Sequence, residues 1–125
     1  MISAVYNMQI NAGDDFELEI IIKDATQSPI NLTGNTYTGQ MREAWDSKDS
    51  VATFVCTVSN QTSFKGQLLI KLPHAESIKI PCLPSKGNNK RPTSEFIYDI
   101  EQTDPSGNRT RILEGSVLVS PNVTR

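Results

Sequence analysis

A single histidine, His74, and two cysteines, Cys56 and Cys82, leave this 125-residue chain short of the side chains that build catalytic and metal centres. A zinc site needs several such ligands at defined spacing, and His-based acid–base catalysis needs a positioned partner. His74 with Glu76 is too little for either, so His74 is read as a solvent-exposed side chain. Asp14-Asp15 lacks the alternating oxygen ligands of a calcium loop and reads as part of a turn. No nucleophile elbow, glycine-rich phosphate loop or paired-cysteine motif is present. Asp99 and Glu101 lie two apart on one face of a strand, where exposed carboxylates are ordinary. The expectation is a chain with no enzyme activity, no cofactor and no metal.

Long apolar runs are also lacking. The longest is Ile20-Ile21-Ile22, far short of a membrane span. Residues 1–15 have neither the basic start nor the apolar core of a secretory signal, so synthesis and folding in a host cytoplasm, with reduced thiols, are expected. A basic excess is missing too. Twelve Lys plus Arg against fourteen Asp plus Glu gives 12 − 14 = −2, without the positive stripe a nucleic-acid binder needs.

What is present is alternation. Phe16, Leu18, Ile20 and Ile22 alternate with Glu17, Glu19 and Lys23, and Ile21 breaks the polar face. The same period of two joins Tyr6, Met8 and Ile10; Tyr37, Gly39 and Met41; Phe54, Cys56 and Val58; Leu68, Ile70 and Leu72; and Phe96, Tyr98 and Ile100. A strand buried on one face has this pattern. In the last segment, residues 109–120, Ile112 and Val117 differ in parity, and a glycine bulge at Gly115 is expected to restore the facing of Val117 and Val119.

Turn formers separate these runs. They cluster at Gly13-Asp14, residues 24–31, Leu32-Thr33-Gly34-Asn35, residues 60–66 and Asp104-Pro105-Ser106-Gly107-Asn108. One short helical turn is expected at His74–Ile78, with Pro73 at its first position. Residues 81–92, with three prolines, read as a loop. Seven strand candidates at regular spacing predict one all-β domain over residues 1–125, an antiparallel immunoglobulin-like sandwich with a short extended C-terminal tail. Strand number alone leaves a small barrel open.

Several stretches resemble a domain of tailed-bacteriophage virion proteins, the N-terminal immunoglobulin-like module of the baseplate upper and tail-fibre proteins. They are Asn11-Ala12-Gly13-Asp14-Asp15-Phe16, Pro29-Ile30-Asn31-Leu32-Thr33-Gly34 with Tyr37, Gln40-Met41-Arg42, Tyr98-Asp99-Ile100-Glu101 with Asp104-Pro105-Ser106-Gly107, and Leu113-Glu114-Gly115 with Val117, Val119 and residues 121–125. Each piece is ordinary turn or strand chemistry, and the resemblance lies in their order and spacing. It implies attachment within a virion. Against the family, the receptor-binding region that follows this module in fibre proteins is expected to be absent, and the loop 81–92 reads as longer than usual.

The function expected is that of a virion structural protein in the tail, baseplate or fibre-attachment region. It would assemble through contacts with other virion proteins and form a homo-oligomer in the particle, without a nucleic-acid, membrane or small-molecule partner. Capsid or neck decoration is the alternative, and a carbohydrate-binding sandwich a weaker one. The contact candidates are Trp45, Lys90, Arg91, Asn122, Val123, Thr124 and Arg125. Trp45, in a polar loop, reads equally as an interface anchor or as a ring folded back on the sandwich. The first strand and the last are the expected free sheet edges.

Overall fold

The computed structural model describes residues 4–81 and 94–121. The strands are β1 (Ala4–Val5), β2 (Met8–Asn11), β3 (Phe16–Ile21), β4 (Thr36–Arg42), β5 (Ala52–Val58), β6 (Gln67–Leu72), β7 (Ser94–Thr103) and β8 (Arg109–Ser120). A single helical turn, α1 (His74–Ser77), joins β6 to the segment before β7.

Two layers face one core. The larger runs β1/β2–β8–β7–β4, and the smaller is β5–β6–β3. Strand β5 belongs to both. Ala52–Phe54 pairs with Gly39–Met41 of β4, and Val55–Val58 pairs with Leu68–Lys71 of β6. The two layers are thus halves of one sheet folded over at Phe54–Val55. All pairings are antiparallel except those of β1 and β2, which run parallel to β8. The partners β3–β6–β5 and β4–β7–β8 are the two sheets of an immunoglobulin-like sandwich. Among the described residues β3 and β1 do not pair, so the sheet does not close into a barrel.

The core follows the alternation. Leu68, Ile70 and Leu72 of one layer and Met41, Ile100, Val117 and Val119 of the other are fully buried. Within the core Phe54 meets Tyr98 edge-on, with ring centroids 5.8 Å apart. Gly39 sits beneath this core because a Cβ there would collide with Ile100.

Local chemistry sets the turns. The Asp104 carboxylate accepts the main-chain N–H of Ser106 and of Asn108, each at 2.9 Å. Asp24 does the same for Thr26 and Ser28, at 2.9 and 3.1 Å. The Gln61 side-chain carbonyl accepts from Leu32 N–H at 3.0 Å and Gly66 N–H at 2.8 Å, tying the loop before β4 to the β5–β6 hairpin.

Four expectations are corrected. The first strand is broken: β1 and β2 are separated at Tyr6-Asn7, and Tyr6 is exposed rather than sharing the inward face of Met8 and Ile10. The bulge is not at Gly115. Ile100 pairs with Leu113 and Glu101 with Arg111, so Ile112 is the extra residue and lies buried beside Leu113. Gly115 is needed for another reason, since a Cβ there would run into the Tyr6 carbonyl. The last strand is not an edge, because β7 flanks β8 on one side and β1 and β2 on the other. Pro73 precedes α1, with extended backbone, instead of occupying its first position.

Candidate functional site

The contact candidates divide at once. Lys90, Arg91, Asn122, Val123, Thr124 and Arg125 lie outside the described residues, as does Cys82. Trp45 lies within them, and its ring is not folded into the core. It is 62% exposed on the β4–β5 connection.

That connection is held from below. Arg42 ends β4, and its guanidinium donates to the Ser47 and Lys48 carbonyls at 3.3 and 2.9 Å, and to the Gln40 side chain at 2.8 Å. Ser47 Oγ accepts the Ala44 N–H at 3.0 Å. Five donor groups on one planar head make arginine suited to closing a loop on its own carbonyls. The tight loop then carries Trp45 over the outer face of the larger layer.

There Trp45 meets Arg111, whose guanidinium carbon lies 5.7 Å from the ring centroid. Arg111 is fixed in turn by Asp99, Nε to carboxylate 3.3 Å, and by Glu114, 3.2 Å. Asp99 and Glu114 are register partners on β7 and β8, and Arg111 reaches them from one step along the same face. Burial pushes the Asp99 carboxyl above its ordinary value, Glu101 and Glu114 add to the rise, and Arg111 opposes it. The cluster is therefore an exposed indole resting on a cation pinned by two acids. The acids that face Arg111 are in its own chain. Nothing in the spacing of Trp45 and Arg111 announces their contact, because strand pairing through β7 creates it.

His74 is exposed, but it is not idle. Asp15 accepts its main-chain N–H at 2.7 Å and faces its ring Nδ1 at 2.9 Å. Ser77, fully buried, donates to the Asp14 carbonyl at 2.8 Å and accepts the Gly13 N–H at 3.1 Å. These bonds clip α1 to the β2–β3 turn and have a structural use. Among the described residues no three His, Cys, Asp or Glu side chains are grouped to hold a metal ion. No helix among them is long and apolar enough to cross a membrane.

A second feature is a groove of about 530 Å³ where the two layers part between β1 and β3. Leu18 and Ile20 form one wall, Val5 and Tyr6 the other, and Ile112 and Leu113 also line it. The sequence signal for it was weak. The β3 alternation looks like that of any half-buried strand, and only pairing shows that its inner face lacks a covering neighbour.

No family model matches the chain, and no curated protein does. Among solved structures it is similar to murine CRIg at 8% identity, covering 95% of this chain and 92% of that one with a TM-score of 0.34. A likeness so slight adds nothing to the strand order already described.

Proposed function

We propose that this chain is a non-enzymatic structural protein of a tailed-phage virion, working by protein–protein contact in the tail, baseplate or fibre-attachment region. The observation that carries the reading is Trp45, 62% exposed yet held over Arg111 by a loop that Arg42 closes. Tryptophan and arginine are the side chains most enriched where interfaces concentrate their binding energy, and a pre-ordered anchor loses little freedom on binding. The resemblance of the turn and strand motifs, in their order and spacing, to those of baseplate upper and tail-fibre modules supports the virion setting.

The test is mass spectrometry of purified particles of the phage that carries the gene, with heads and tails separated. The protein is expected in the tail fraction, and Trp45→Ala is expected to reduce its incorporation at least about tenfold, the loss of one interface anchor. Recovery in the head fraction alone would move the assignment to capsid or neck decoration. Absence from every particle would overturn the reading. Glycan binding by the purified protein that is lost in Trp45→Ala would instead make it a carbohydrate-binding module.

A further inference from the structure

We propose that the open edge of β3 is a docking site for an extended, basic strand of another protein. The proposal goes beyond the contacts of Trp45, since it concerns the opposite layer and a different mode of binding.

Strand β3 pairs only with β6 among the described residues and ends the sheet. The Ile22 N–H donates to the Gly66 carbonyl at 2.8 Å, on the β6 side. Alternate residues of an antiparallel strand turn their backbone groups to opposite sides. The N–H and C=O groups of Glu17, Glu19 and Ile21 therefore point away from β6, toward the open edge. A free row of this kind is a template for one more strand. The inner side chains of such a strand would enter the groove over Leu18 and Ile20, both only partly buried, with Val5 and Ile112 as the far wall. Filling it would complete the smaller layer and cover the seam.

Charge decides the occupant. Glu17 and Glu19 stand exposed on the outer face of β3, and neither makes a salt bridge among the described residues. Residues directly opposite in an antiparallel pair share a face. Two in-phase registers would pair five residues of β3 with β3 of a second copy. One opposes Glu17 with Glu19, and the other opposes Glu19 with Glu19. Like charges placed so are repulsive, which disfavours self-association through this edge. The complement is a strand whose inward positions are apolar and whose outward positions are lysine or arginine. Lys23, the one cation lining the groove, lies past the end of β3 where the chain turns back to bridge with Pro29.

The test uses the full chain and two labelled octapeptides, one alternating valine with lysine and one alternating valine with glutamate, read by fluorescence anisotropy. The lysine peptide is expected to bind at least about tenfold tighter, the product of two favourable cross-strand charge pairs. Glu17→Lys with Glu19→Lys is expected to reverse that order. Glu19→Pro removes an N–H that serves only the open edge, so it should keep the β-sheet circular dichroism and lose the peptide. On binding, the amides of Glu19 and Ile21 should gain protection from hydrogen exchange. Equal affinity for the two peptides, no binding up to about 1 mM, or an order unchanged by the double lysine variant would overturn the proposal. If Glu19→Pro fails to fold, the charge reversal decides alone. Particle incorporation is not read in this experiment, so its failure and that of the virion reading are separable.

Discussion

The buried phenol of Tyr98 donates a 2.6 Å hydrogen bond to the main-chain carbonyl of Tyr6, across the whole width of β8. The carbonyl can come so near because Gly115, the register partner of Tyr98, has no side chain in the way. The Asn7 side chain completes the join by accepting the Ser116 N–H at 3.1 Å. The break between β1 and β2 is thus fastened to β8 and β7 without a change of register.

From this follows a pair of stability changes. Tyr98→Phe keeps the ring in the core and removes only the donor, and is expected to cost about 1–2 kcal/mol. Gly115→Ala drives a methyl group into the Tyr6 carbonyl and is expected to cost about 1–3 kcal/mol by lifting β1 from β8. Urea unfolding midpoints check both. Two changes without effect would mean that β1 contributes nothing to the fold.

The β2–β3 turn predicts the acid response. The His74 main-chain N–H, and then its ring, hold the Asp15 carboxyl below its ordinary value. Hydrogen bonds from Thr26 and Ser28 lower Asp24, and those led by Asn108 lower Asp104. A lowered carboxyl stabilises the fold fully above its unfolded value, about 3.9, and the gain is lost as pH falls through the folded value. These three groups should therefore lower the melting temperature as pH falls below about 4. Asp15→Ala should melt lower than the parent at neutral pH, with the gap closing in acid. A gap independent of pH would contradict the linkage.

Much of this architecture is legible in the residues, and the remainder is hidden for identifiable reasons. The hairpin of Phe54 and Val58 with Leu68, Ile70 and Leu72 could be read because each run obeys period two and one polar loop joins neighbours. The parity slip in the last strand was visible, but its place was not. Adjacent apolar residues Ile112-Leu113 carried the signal, while Gly115 offered a more familiar explanation. The join at Tyr6, the Trp45–Arg111 stack and the Asp15–His74 clip each link distant parts of the chain. Their residue types do not specify their partners, and strand order does.

Asp99 should respond to pH in the opposite sense from Asp15. Its carboxyl is raised by burial and by neighbouring acids, only partly offset by Arg111. Ionisation is then harder in the fold than in the open chain, so the charged form is a liability above the folded value, and protonation relieves it as pH falls. Asp99→Asn is expected to melt at or above the parent temperature near neutral pH and to lose that advantage at about pH 4. A lower melting temperature at neutral pH would show that the bond to Arg111 outweighs the cost of burying the charge.

Cys56 gives the last test, one of reactivity. It lies half-buried on β5 opposite Ile70, and burial pushes its thiol up to about 11. The thiolate is the reacting form, and about one part in a thousand would be present at pH 8. In a Cys82→Ser background, aromatic disulfide reagents should therefore label Cys56 slowly at that pH and rapidly once denaturant opens the sheet. Labelling should also accelerate as pH rises toward 11, provided the fold holds by circular dichroism. Rapid labelling of the folded protein at neutral pH would mean that β5 opens locally, at the point where the chain passes from one layer to the other.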